Sequence, residues 1–290
     1  EIALAARATG GRVIAQVERT AARGTLRPKD IVVPGELVDA VVVCDDIAKH
    51  HRQTAATVYN PYLSGELRAA PRPSESVSSV LSAEDIICRR AAFELFPDAI
   101  VNVGVGVGAG IGAVARAEGL ESELTFTLEL GAFGGTPQPM ADFGSTENPT
   151  AFIAHPSMFD FYHGGGLDIT FLGAAQIDRS GNVNSSKFGG HAAGQGGFID
   201  ISQSSRKVVF CTPFRAKGLK AHAESGGLVI DAEGAIPKLV PEVEQITFSA
   251  KLAAEAGKPV VYITERCVFE LTPEGLMLTE IAPGADIQRD

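Results

Sequence analysis

Hydrophobic positions change their period along the chain, and the changes divide it into three parts. In residues 1–44, two β-branched runs, Val13 to Val17 and Val38 to Val43, are joined by a connection bearing Pro28, Pro34 and Gly35. They read as the trailing part of an N-terminal α/β domain. Residues 45–79 lose their period, carry Pro61, Pro71 and Pro73 among scattered polar positions, and read as a linker. Residues 80–290 form a second domain. It opens with Ser82 ahead of Glu84 and Asp85, a helix N-terminus, and the spacing puts Ile87, Ala91 and Leu95 on one helix face. A strand at Ala99 to Val103, a glycine loop, a helix from Ile111 to Glu118, and an alternating strand with Leu124, Phe126 and Leu128 inward make a βαβ unit. Further strands are predicted at Ile169 to Leu172, Val208 to Cys211 and Val260 to Thr264, with a helix at Phe248 to Ala256 and a hairpin turning at Pro273 to Gly275. This alternation predicts an α/β fold: a mainly parallel open sheet with helices on both faces and antiparallel hairpin additions at the C-terminal end.

Composition adds exclusions. The 290 residues are 45% hydrophobic and 21% charged, the make-up of a soluble globular protein. A formal charge of -10 repels polyanions at long range, so neither nucleic acid nor an anionic membrane is an expected partner. No run reaches the roughly 18 apolar residues of a membrane helix, and no charged-then-apolar leader opens the chain. Cys44, Cys88, Cys211 and Cys267 lie far apart without CxxC spacing, which reads as buried thiols in a cytoplasmic, metal-free protein. The chain begins at Glu1 in what reads as the end of a helix, so it is expected to be part of a longer polypeptide.

Two segments offer chemistry. Gly104, Gly106 and Ala109 satisfy G-x-G-x-x-A between a strand and a helix, which suits a dinucleotide but equally any anion or oxyanion approached by backbone N–H groups. In TLELGAFGGTP, Thr127 to Pro137, Glu129 falls in step with Thr125 and Thr127 at a strand's carboxyl end, where open α/β sheets bind ligands. A solvated rim glutamate is the bland alternative. His155, His163, His191 and His222 lack metal-ligand spacing and read as structural or exposed, with His163 beside Gly164 to Gly166 a candidate for the pocket border. Lys187 can pair with a phosphate or face water.

Six ordered blocks, VNVGVGVGAGIG, TLELGAFGGTP, FDFYHGGGLDITFLG, GNVNSSKFG, GQGGFIDISQ and YITERCVFELTPEGLMLTEIAPG, resemble the C-terminal catalytic half of family I coenzyme A transferases of the bacterial acetate and propionate type. The resemblance runs from about Val13 onward. It implies exchange of CoA between an acyl-CoA and a short-chain carboxylate through a glutamyl-CoA thioester on Glu129, with CoA as substrate and no cofactor. It further implies oxyanion contacts from Val105, Gly106 and Asn184, and CoA contacts from Gly194, Gly196 and Gly197. Leu128 and Leu130 depart from the valine and the small residue or asparagine common in the family, which alters the acyl pocket. The family also implies an N-terminal CoA-transferase domain, in cis or as a separate chain, and a homo-oligomer. Two rivals stay open on the residues: an NAD(P)-dependent oxidoreductase using the 104–112 loop with Glu123 or Glu129 on the ribose, and a non-catalytic module binding small anions.

Overall fold

A computed structural model of the chain describes residues 1–70, 80–138 and 140–286. It forms two compact units, Glu1–Asn60 and Pro61–Asp290. The division falls inside the stretch read as a linker. Residues 47–50 form a helical turn belonging to the first unit, where Gln16 Nε2 donates to His50 O at 2.5 Å. The last part of the expected linker, residues 71–79, lies outside the described residues.

In the first unit the two valine-rich runs pair in parallel, from Ile14 with Ala40 to Val17 with Val43. Asp39 ties the entrance, accepting from Val13 N–H at 2.8 Å and pairing with Arg7 at 3.0 Å. None of the residues 1–60 is buried, and Val41, Val42 and Val43 remain 53%, 51% and 52% exposed. Parallel strands ordinarily have both faces covered; here these faces are open.

The second unit holds a nine-stranded sheet. Its strands are β1 (Ile100–Val103), β2 (Thr125–Leu128), β3 (Ala132–Phe133), β4 (Ala151–Phe152), β5 (Ile169–Leu172), β6 (Lys207–Cys211), β7 (Val260–Ile263), β8 (Cys267–Thr272) and β9 (Gly275–Ile281). They lie in the order β9-β8-β7-β6-β5-β1-β2-β3-β4. From β7 through β2 every neighbour is parallel. The hairpin β8–β9 adds antiparallel strands beyond β7, as the Pro273 to Gly275 turn predicts. A second antiparallel extension, β3 and β4, stands at the opposite edge beyond β2. Two-residue strands carry no periodicity, so this extension leaves no signature in the sequence.

Helices cover both faces, and strand alternation explains the two cores. Val209, Cys211, Val261 and Ile263 face one side, joined by Val101, Phe126, Leu128 and Phe171 and by helices α1 (Ala83–Ala92) and α2 (Ile111–Ala117). Val208, Phe210, Val260 and Tyr262 face the other, against α3 (His155–Phe161), α4 (Phe198–Ser204) and α5 (Ala250–Glu255). Fully burying one such side chain is worth about 1.5–3 kcal/mol, so the stacked Phe198, Phe210 and Tyr262 rings anchor the second layer. The start of α1 is set by a capping box: Ser82 Oγ accepts from Asp85 N–H at 3.2 Å, and the Asp85 carboxylate accepts from Ser82 N–H at 2.9 Å.

Candidate active site

The sheet changes direction at β1. The chain lays β2 on one side of it and β5, β6 and β7 on the other, so β1 borders the switch point where open α/β sheets leave a crevice at their carboxyl edge. Asn102 of β1 pairs with Thr127 of β2. Two residues further, Gly104 and Glu129 leave these neighbouring strands at the same edge. After Glu129 the chain reverses at once, since Leu128 pairs with Ala132 and Gly131 N–H donates to Leu128 O at 2.9 Å. Gly131 sits at φ +114°, and a Cβ there would run into Ile153 O, so only glycine closes this turn. Glu129 is therefore the first residue of a three-residue hairpin loop.

Its strand corrects one expectation. Leu124, Phe126 and Leu128 do face the core, but the Thr127 side is no open face: Thr127 is 0% exposed beneath Tyr162. A threonine reads as a solvent position in an alternating strand, whereas here its hydroxyl is satisfied inside the protein.

The Glu129 carboxylate is partly buried, and Gly197, immediately ahead of α4, lies against it. A Cβ at Gly197 would collide with Glu129 Oε2 and come within 2.8 Å of Phe159 Cζ. Phe159 packs on His155 at 5.2 Å between ring centroids and edge-on to Tyr162 at 5.9 Å. Asp200 of α4 holds His163 Nε2 at 2.9 Å. Burial pushes the Glu129 carboxyl above its ordinary value; His155 pulls it down and Asp200 pushes it further up. Burial that raises a carboxyl's pKa also strips water from the carboxylate, which makes the anion a better nucleophile.

The other expected residues divide. The loop carrying Val105 and Gly106 follows β1 directly; Val105 is 69% exposed and Gly106 adopts φ +106°, ψ −151°. Among the described residues, neither backbone N–H has a hydrogen-bond acceptor. Gly194 and Gly196 are exposed loop positions, and Gly194 N–H donates to Ser186 O at 3.1 Å; Gly197 alone of the three touches Glu129. Asn184 is held by local hydrogen bonds. It is 0% exposed, its Oδ1 accepts from Ser186 and Lys187 N–H at 3.1 Å each, and its Nδ2 donates to Gln176 Oε1 and Lys187 O. Both donors and both lone pairs of the amide are used, by Ser186 and Lys187 of its own turn and by Gln176 on the paired strand. Lys187 is exposed in a short hairpin.

Glu123 is likewise excluded as a ribose ligand, because it ends a 3₁₀ turn at the amino end of β2, opposite the glycine loop. Nothing in their spacing along the chain marks His155, Phe159, Tyr162 and Asp200 as neighbours of the carboxylate. His155, Phe159 and Tyr162 lie in or just ahead of FDFYHGGG and Asp200 in GQGGFIDISQ, but only the fold brings those blocks to Glu129. Among the described residues no group of three or more His, Cys, Asp or Glu side chains is placed to hold a metal, and no helix is long and apolar enough to cross a membrane. A cavity of about 510 Å³ between the start of α1 and the loop after β6, lined by Arg215, Lys217, Lys220 and His222, does not include Glu129.

No family model matches the chain. Among curated proteins it is 45% identical over 295 residues to the caffeate CoA-transferase of Acetobacterium woodii, covering 100% of this chain and 55% of that protein. It is 43% identical over 289 residues to the acetate CoA-transferase YdiF of Escherichia coli strain K12, again over 100% of this chain and 54% of the relative. The chain thus spans about half the length of the curated relatives it matches. The crystal structure of acyl-CoA transferase YdiF from Escherichia coli O157:H7, a thioester complex with CoA, superposes with a TM-score of 0.85 at 43% identity, over 100% of this chain and 53% of that one. Likeness at this level over the whole of the chain, in both sequence and fold, means that the chain belongs to the coenzyme A transferase family.

Proposed function

We propose that the protein containing this chain is a CoA-transferase that moves CoA between an acyl-CoA and a short-chain carboxylate, with Glu129 as the nucleophile. The observation that carries this is the placement of one partly buried carboxylate at the carboxyl edge of the sheet, beside the Val105–Gly106 loop and against Gly197. The thioester complex formed by YdiF supports the same chemistry in a relative.

A Glu129 oxygen attacks the acyl-CoA carbonyl carbon, the C–S bond breaks, and CoA thiolate leaves an acyl-glutamyl anhydride. The thiolate then attacks the glutamyl carbonyl and expels the first acid as its carboxylate, giving glutamyl-CoA. The acceptor carboxylate reverses both steps, so the thioester's free energy is never released to water. Each addition places negative charge on a carbonyl oxygen. The N–H groups of Val105 and Gly106 are the donors assigned to it, and losing one such donor typically costs about 10²- to 10³-fold. No proton has to be removed from an ionised carboxylate, so no general base and no cofactor enters the scheme. Gly194 and Gly196 are assigned to the CoA side of the cleft.

A second CoA-transferase domain, in the same polypeptide or as a partner chain, completes the cleft in this reading. The relatives' greater length and the uncovered valines of the first unit support it. A homo-oligomer in the cytoplasm fits the family and the four free cysteines, and the formal charge of -10 disfavours nucleic acid or an anionic membrane as a partner. The test is incubation of the full-length enzyme with an acyl-CoA and no acceptor, followed by digestion and mass spectrometry. CoA is expected on the peptide carrying Glu129, and an adduct on any other residue would overturn the assignment.

A further inference from the structure

Beneath Glu129 runs a line of buried hydrogen bonds with one direction. Thr170 Oγ1 donates to Asn102 Oδ1 at 2.9 Å, Asn102 Nδ2 donates to Tyr162 OH at 3.1 Å, Tyr162 OH donates to Thr127 Oγ1 at 3.1 Å, and Thr127 Oγ1 donates to Val101 O at 3.0 Å. Thr170, Tyr162 and Thr127 are 0% exposed and Asn102 is 1% exposed. These residues come from three adjacent strands, β5, β1 and β2, and from the residue that ends α3. An apolar core at this place would serve stability as well or better, because buried polar groups cost free energy unless every member is satisfied. What a satisfied network adds is a single allowed geometry.

The chain ends where the chemistry begins. Thr127 lies two residues before Glu129 on the same face of β2, and Tyr162 packs edge-on against Phe159, the ring that meets Gly197 beside the carboxylate. The three-residue loop after Leu128 gives Glu129 little slack of its own, so its backbone position follows the end of β2, where Thr127 pairs with Phe133 and Leu128 with Ala132. Burial pushes the Tyr162 phenol up to about 12, with the Glu129 charge adding in the same direction, so at neutral pH the phenol keeps the proton it donates.

We propose that Thr127, Tyr162, Asn102 and Thr170 are positioning residues that fix β2 and the Glu129 loop relative to the sheet for attack on the thioester. This rests on Glu129 being the nucleophile. In the full-length enzyme, Thr127→Val keeps the shape and removes the hydroxyl. It is expected to lower kcat and the single-turnover rate of CoA attachment to Glu129 by about tenfold or more while KM for acyl-CoA changes less than about twofold. Thr127→Ser, which restores the hydroxyl without the methyl group, is expected to recover most of the rate. Tyr162→Phe cuts the same chain from the helix side and gives an independent reading should the valine variant fold poorly. Val260→Ala, in the same core but outside the chain, controls for general loss of stability and should keep its rate.

A valine variant with wild-type turnover, or a serine variant as slow as the valine one, overturns the proposal and leaves the transfer reading intact. So does a Tyr162→Phe enzyme that labels at the wild-type rate. If the unaltered enzyme carries no CoA on Glu129, the transfer reading itself falls and takes the positioning role with it.

Discussion

Gly197 and Glu129 are in such close contact that a single methyl group on the glycine would strike Oε2 of the glutamate. The two residues are far apart in sequence and come from opposite kinds of element, a hairpin loop and the approach to a helix. Gly197 has φ −81° and ψ 2°, a conformation open to any residue, so the demand for glycine here is one of space.

Gly197→Ala is therefore expected to damage turnover by far more than its crowding of the Phe159 ring costs the fold. Displacing a positioned carboxylate by about 1 Å costs on the order of 10²-fold. Steady-state kinetics beside a thermal melt check this; a fall of stability equal to the loss of rate would point to a packing role instead.

At Glu129 itself, aspartate keeps the charge but withdraws it by one methylene, and a loss of about 10²-fold in kcat is expected. Glutamine is expected to abolish exchange and CoA labelling altogether, since an amide cannot form the anhydride by this route. Rates for both variants and intact-mass spectra after acyl-CoA treatment give the measurement.

The pH profile follows from the surroundings of that carboxylate. Burial raises its pKa, Asp200 raises it further and His155 lowers it, and the reaction needs the ionised form. Activity should thus fall as pH drops through a limb lying above that of an ordinary glutamate. Asp200→Asn removes the negative charge that raises the Glu129 carboxyl, so the limb moves to lower pH. His155→Ala removes the favourable charge and moves it to higher pH. Single-turnover rates between weakly acidic and neutral pH read both shifts; opposite signs would show that another group titrates.

Gly106→Ala acts through the backbone. An added Cβ meets nothing within 4 Å, but φ +106° with ψ −151° is a region essentially reserved for glycine, and forcing it costs of order 1–3 kcal/mol. The loop should relax away from its donor geometry, lowering kcat more than the affinity for CoA. Calorimetric CoA binding set against turnover tests this.

Away from the site, Glu94 is held by Arg90 Nη1 and Lys207 Nζ, each at 2.6 Å. Burial pushes its carboxyl up, but the hydrogen bonds and charges of Lys207 and Arg90 outweigh this and hold it below its ordinary value. Its stabilisation is complete above the unfolded-state pKa and is lost as pH falls through the lower folded value. Glu94→Gln should cost about 1–3 kcal/mol at neutral pH, and a smaller amount under acid, in urea titrations.

The α/β class, the parallel strands, the C-terminal hairpin and the position of Glu129 at a strand end are legible in the sequence, because each has a local signature: a run of β-branched residues, a capping box at Ser82, a carboxylate ahead of a glycine turn. The blocks that carry the family resemblance were legible for the same reason, since each is contiguous. What the tertiary structure decided is the company that Glu129 keeps. Gly197, His155 and Asp200 are brought to it by strand order and by two helices on one face, and no spacing along the chain encodes a distance between separate elements. Asn184 shows the converse: its block reads as one contiguous motif in sequence, yet its amide is engaged by Ser186 and Lys187 of its own turn and by Gln176 on the paired strand, a bond no spacing announces. Thr127 reads as polar and outward by alternation, but a threonine can be buried wherever its hydroxyl finds partners, and only the packing of Tyr162 against β2 supplies them.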